Sequence, residues 1–184
     1  MSTRRPDEPW AGFLHALDSS LQVEATVHCL GGFAIHALFG LARPTRDVDV
    51  AAVAPPDQLP LLVRMGGKGS PLAVKSGIYF DFVTVVTLPE NYGARLTPIY
   101  PGSFACLRLM ALDPYDIALS KLERNQRHDR EDVRYLADHV PFNVDVLMRR
   151  YQDELRPYLG RPDREDLTMR LWIEMLRESR PPTS

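Results

Sequence analysis

Residues 31–50 read GGFAIHALFGLARPTRDVDV, opening on two glycines and closing on two aspartates, Asp47 and Asp49, with one valine between them. Residues two apart in a strand share a face, so Asp47 and Asp49 present their carboxylates together while Val48 and Val50 turn the other way. Adjacent carboxylates repel, and the conflict is relieved when a cation neutralises them. An acidic strand end is one reading, and a divalent-cation site is the other. Gly31 and Gly32 pose the same choice. They follow EATVHCL, a short segment with strand composition, and they launch an apolar run of helical length that stops near Gly40. Backbone without Cβ atoms at a strand-to-helix junction makes a tight turn. It also lets a phosphate approach free N–H groups at the positive end of a helix. Strand, glycine pair, helix and D-x-D strand in this order point to a phosphate cradle followed by a metal site.

A third acid belongs with these two. GIYFDFVTVV, residues 77–86, is the strongest strand signal in the chain, and Asp81 interrupts it among hydrophobic and β-branched neighbours. An unpaired carboxylate buried there is costly, so Asp81 sits at an edge, in an ion pair, or beside Asp47 and Asp49 as the third ligand of a metal. Hard oxygen ligands suit magnesium (or manganese), which typically takes one or two carboxylates and fills the rest of its shell with phosphate and water. Arg43 and Thr45 lie just before the aspartates. Thr45 shares the strand face of Asp47, and Arg43 is placed to neutralise phosphate; Arg46 is turned away by strand alternation.

The remaining chain fills in an α+β plan. Residues 8–20 carry Trp10, Phe13, Leu14 and Leu17 at helical spacing, PPDQLPLLVRM reads as a helix, and ARLTPIY and FACLRLM read as short extended segments. From Asp113 onward DPYDIALSKLERN, HDREDVRYLADHV, NVDVLMRRYQDELRPYL and REDLTMRLWIEMLRES all place apolar residues three and four apart. The expectation is a mixed sheet flanked by helices over residues 1–112 and a helical region over 113–184.

The helical half holds a second constellation. Val133, Leu136, Ala137 and Val140 form an inward stripe, and its backward extension lands on Asp129 and Asp132. Acids in a first helical turn also favour the helix dipole, and Asp129 is a candidate cap. Lys121 lies one turn beyond Ile117 at the edge of an apolar face. It is one of three lysines in an arginine-rich chain, with Lys68 and Lys75.

Together the glycine pair, the arginine–threonine segment, the D-x-D and the later lone aspartate resemble the nucleotidyltransferase superfamily that includes DNA polymerase β. The narrower resemblance, over residues 24–140, is to bacterial toxin nucleotidyltransferases of the AbiEii and MenT type. Those families carry a lysine followed by R-x-D-x-x-D, and KLERNQRHDRED, residues 121–132, matches it without gaps, with His128 where a lysine is frequent. The resemblance implies a nucleotidyltransferase-like mixed sheet followed by a helical bundle. It implies metal held by Asp47, Asp49 and Asp81, phosphate contact at Gly31 and Gly32, and Lys121 on the nucleotide phosphates. Asp129 or Asp132 would serve as base or orienting group for the acceptor hydroxyl. The reaction implied is transfer from an NTP to an acceptor such as a tRNA 3′ end, with an antitoxin as protein partner. An antibiotic-type nucleotidyltransferase acting on a small molecule and a non-catalytic nucleotide- or partner-binding module share the same motifs.

Other signals carry less. MGGKGS at 65–70 lacks the spacing of a P-loop and reads as a flexible turn. Cys29 and Cys106 lie in apolar stretches as small hydrophobes, and the five histidines show no zinc grouping. The arginines of the last two helices are balanced by acids and form a solvated face. Net charge is −2, no apolar run reaches membrane-spanning length, and the first ten residues lack a signal-peptide core, so a cytoplasmic setting is expected.

Overall fold

A five-stranded sheet in the order β3-β2-β1-β5-β4 carries the first half of the chain. The computed structural model describes residues 5–43 and 45–178. Its strands are β1 (Ala25–Leu30), β2 (Asp47–Ala54), β3 (Tyr79–Phe82), β4 (Thr97–Ile99) and β5 (Leu107–Ala111). The sheet is mixed: β1 runs antiparallel to β2 and parallel to β5, β2 is parallel to β3, and β4 is antiparallel to β5. Four helices accompany it, α1 (Trp10–Asp18), α2 (Gly31–Phe39), α3 (Leu59–Gly66) and α4 (Pro71–Ser76). The described chain divides into two units, the first reaching Val85 and including Leu96–Leu112, the second comprising Val86–Arg95 and the chain from Asp113 onward.

Alternation builds the core of the first unit. Val27, Cys29, Val48, Val50, Phe80, Leu107 and Leu109 are all buried and take every second place along their strands. Helix α1 adds Phe13, Leu14 and Leu17, with Phe13 edge-on to Phe80 at 5.5 Å between ring centroids. Polar side chains on the intervening positions, Asp47, Asp49, Tyr79 and Asp81 among them, are left for the opposite face. At its end α1 is tied to the approach of β5, where the Asp18 carboxylate accepts the N–H groups of Ala105, Cys106 and Leu107 at 3.0, 2.7 and 2.8 Å.

One local expectation is corrected. The strand expected over 77–86 is only Tyr79–Phe82, because β2 has a bulge that ends its pairing with β3. His28 pairs with Ala52 and Cys29 with Val50, which leaves Ala51 as the extra residue, and the β2–β3 register stops at Val50 opposite Phe82. The segment after MGGKGS forms α4, which is capped by the Ser70 hydroxyl accepting from the Ala73 N–H at 3.1 Å. Cys29 is fully buried, whereas Cys106 is half-buried, and both are free thiols.

The second unit is helical: α5 (Pro114–Ser120), α6 (Arg127–His139), α7 (Val144–Arg150) and α8 (Asp163–Glu178). The helix expected across NVDVLMRRYQDELRPYL changes pitch, with a π segment at Tyr151–Leu155 and a 3₁₀ turn at Arg156–Tyr158 following α7. Segment Val86–Arg95 is held here by Arg95, whose guanidinium takes Asp116 at 2.9 and 3.0 Å and Glu154 at 2.8 Å. Arg150 adds Asp113 at 2.6 Å and Asp116 at 3.1 Å. Asp116 has no exposed surface, and burial pushes its carboxyl above the usual range against the pull of Arg95. Among the described residues no helix is long and apolar enough to cross a membrane.

Candidate active site

Strand pairing brings the three predicted ligands together. Asp49 lies opposite Asp81 in the β2–β3 ladder and Asp47 opposite Tyr79, so the D-x-D and the lone aspartate share one face of neighbouring strands. Each of Asp47, Asp49 and Asp81 offers a carboxylate oxygen within 4.8 Å of the others. Asp47 and Asp49 are half-buried and Asp81 is exposed. The Thr45 hydroxyl donates to Asp47 Oδ1 at 2.6 Å, so the threonine expected near a triphosphate orients the first of the acids.

The glycine pair meets this cluster directly. Gly31 follows β1 without a linking residue and has φ of +71°, a region that side-chain-bearing residues rarely adopt. A Cβ placed on it would fall 1.8 Å from Asp49 Oδ2, so the missing side chain is the space the carboxylate occupies. The open side of Gly32 faces Arg43 and Thr45, whose nearest atoms lie 3.3 and 3.7 Å from where its Cβ would be. Pro44, between those two residues, lies outside the described residues. Gly31, Gly32, Arg43, Thr45 and the three acids thus form one polar end of the first unit. The donor set fits a hard divalent cation: three carboxylates too close to share a face comfortably when unneutralised, beside backbone that a side chain would fill.

Sequence reading passed over Tyr79. It stands two residues before Asp81, hence on the same face, and that spacing was the available signal. Burial, and after it the charges of Asp47, Asp81 and Asp49, hold its phenol above the usual range. Lys68, from the MGGKGS turn, places its ammonium 5.7 Å from the centre of the Tyr79 ring.

The second constellation assembles within the helical unit. Lys121 closes α5, and its Nζ lies 2.8 Å from Asp132 and 3.6 Å from Asp129, with only 4% of its side chain exposed. Both acids are buried on the inward side of the first turns of α6. Asp129 is not the cap but the third residue of a capping box, accepting the Gln126 N–H at 2.9 Å, and it also takes Arg124 through Nε and Nη2 at 2.9 and 2.6 Å. Burial opposes its ionisation, but Arg124, the Gln126 N–H and Lys121 together hold its carboxyl below the usual range. Val140, expected on the inward stripe, ends α6 half-exposed.

A mixed sheet with D-x-D on β2, an aspartate on the neighbouring parallel β3 and a glycine pair at the β1–α2 junction, together with a helical unit, defines a nucleotidyltransferase-like fold. The chain belongs to the family described as "Nucleotidyltransferase of unknown function (DUF6036)", whose model matches residues 14–180. Neither the curated proteins nor the solved structures contain a match to it.

Proposed function

We propose that this protein transfers a nucleotidyl group from an NTP to an acceptor hydroxyl and needs magnesium or manganese to do so. The observation that carries the reading is the meeting of Asp47, Asp49 and Asp81 within 4.8 Å, with Asp49 seated in the space of the missing Gly31 side chain. When bound, the divalent ion neutralises triphosphate charge and polarises the α-phosphate. Asp47, Asp49 and Asp81 would hold it. Gly31 gives its side-chain space to Asp49, Gly32 would offer the start of α2 to phosphate oxygens, and Arg43 would supply a planar cation for them. Thr45 keeps Asp47 in position.

In the reaction the acceptor oxygen forms a bond to the α-phosphorus, the bond from that phosphorus to the bridging oxygen breaks, and pyrophosphate leaves. The hydroxyl proton passes to a carboxylate. The likeness to AbiEii and MenT enzymes gives that role, or the orienting of the acceptor, to Asp129 or Asp132. The same likeness gives Lys121 to the nucleotide phosphates. The likeness to AbiEii and MenT enzymes favours a tRNA 3′ end as acceptor, an antitoxin partner and a cytoplasmic setting.

The test is calorimetric titration of an NTP with and without Mg²⁺, followed by transfer of α-labelled NTP to total RNA. Wild type binds only with metal and labels RNA, and Asp49→Ala does neither. Equal behaviour of the two proteins in both assays defeats the proposal. Label on an aminoglycoside or another small hydroxyl compound, and none on RNA, replaces the acceptor with a small molecule.

A further inference from the structure

The MGGKGS turn has a defined shape. Its Gly67 N–H donates to the Val63 carbonyl at 2.9 Å, and the Ser70 N–H donates back to the Gly67 carbonyl at 3.0 Å. A Cβ on Gly67 would lie 2.4 Å from that Val63 oxygen, and Gly69 has φ of +84°. Gly67 also bridges to Phe80 of β3. Lys68 is therefore fixed between two required glycines, exposed, at the outer edge of the strand that carries Tyr79 and Asp81.

The order of parts across this end of the sheet matters. The glycine pair stands at the end of β1, Asp47 and Asp49 on β2, Asp81 and Tyr79 on β3, and Lys68 beyond β3. In-line transfer puts the attacking hydroxyl and the leaving pyrophosphate on opposite sides of the α-phosphorus. With phosphates on the glycine side, the acceptor arrives from the β3 side. There it meets an aromatic ring with a cation over it, a combination that suits a stacked base and its backbone phosphate.

We infer that Tyr79 and Lys68 form the acceptor subsite, and that the acceptor is a single-stranded polynucleotide 3′ end, with Lys68 pairing a backbone phosphate and Tyr79 packing against the terminal nucleoside. This rests on the nucleotidyltransferase reading above. A small polyol or a protein side chain carries no backbone phosphate for Lys68 to pair, and a lysine serving only to offset the acids would need no aromatic ring beneath it.

The experiment measures two affinities on the full chain: a short 5′-labelled single-stranded RNA by fluorescence anisotropy across a salt series, and an NTP with Mg²⁺ by calorimetry. Lys68→Ala weakens RNA binding and lowers the slope of log affinity against log salt by about 0.7, the share of one phosphate contact on a single strand. Tyr79→Ala lowers RNA affinity on the order of tenfold, as loss of one stacking platform does, while Tyr79→Phe keeps it. Both Lys68→Ala and Tyr79→Phe leave NTP affinity within about twofold, as expected of variants that preserve packing. RNA affinity and salt slope that ignore both Lys68→Ala and Tyr79→Ala overturn the subsite, as does a wild type that binds no RNA. Loss of NTP or metal affinity in Lys68→Ala without loss of RNA overturns it too, by moving the lysine to the donor side or to the acids. A wild type that binds no NTP with Mg²⁺ defeats the parent reading instead, through the separate titration.

Discussion

Gly31 and Asp49 occupy one space: the carboxylate oxygen of the aspartate lies 1.8 Å from where a glycine Cβ would be. Gly31→Ala must therefore displace Asp49 as well as hold a side chain at positive φ. The backbone conformation alone costs about 1–2 kcal/mol. Urea denaturation should show Gly31→Ala destabilised by more than that, and the Gly31→Ala/Asp49→Ala double variant should regain the excess. Neither variant should show a calorimetric signal with Mg²⁺ and NTP. A double variant no more stable than Gly31→Ala contradicts the steric account.

The acid cluster carries a stability signature of its own. Like charges facing each other across a strand pair destabilise by roughly 0.2–1 kcal/mol. Asp81→Asn should raise the melting temperature in EDTA and at low salt, since Asp81 faces Asp49 in the ladder. Millimolar Mg²⁺ should raise the melting temperature of wild type and not that of the variant. Identical EDTA and Mg²⁺ melts for wild type would mean that the three carboxylates hold no cation.

Lys121 and Asp132 form a buried ion pair at 2.8 Å, so truncating either partner alone leaves the other's buried charge without its nearest counter-charge. The expected cost of Asp132→Leu is about 3–5 kcal/mol. Lys121→Met added to it should restore most of the stability while leaving transfer activity absent. A double-mutant cycle by denaturation reads the coupling, and additive effects would show that the pair is not held in the folded protein.

Acid sensitivity should trace in part to Asp18. Burial raises its carboxyl, but the N–H groups of Ala105, Leu107 and Cys106 outweigh that and hold it below the usual range. A folded-state value below the unfolded one means that the stabilisation is full above the unfolded pKa of about 3.9 and fades as pH falls through the lower folded value. Asp18→Asn should be less stable than wild type by about 1–2 kcal/mol at neutral pH. The gap should narrow in melts taken below about pH 4 and stay constant if Asp18 is not the titrating group.

Much of the sheet end was readable because period-two alternation leaves few choices. Val48 and Val50 must go inward, which commits Asp47 and Asp49 to the other face, and Asp81, open in the sequence to an edge position or an ion pair, stands both on the edge strand β3 and beside them. The same rule extended one step would have found Tyr79. Val83 to Val86 were misread because β-branched composition reports what a strand tolerates, whereas pairing here ends at a bulge one strand away, at Ala51. Six-residue α4 is too short for periodicity to register, and only its Ser70 cap and Pro71 start mark it. Lys68 was invisible as a site residue because the β-bridge from Gly67 to Phe80 that positions it spans thirteen residues of sequence.

The chain passes between its two units three times, after Val85, Arg95 and Leu112. A cut at Leu112 therefore does not yield two halves that each carry their own parts. The N-terminal fragment would keep Arg95 without Asp116 and Glu154, and the C-terminal fragment would keep a buried aspartate without its guanidinium. Neither piece is a portable module. Grafting this sheet end onto another protein, or borrowing the helical unit as a scaffold, requires carrying the short Val86–Arg95 excursion along with it, or rebuilding its charge pair with apolar residues.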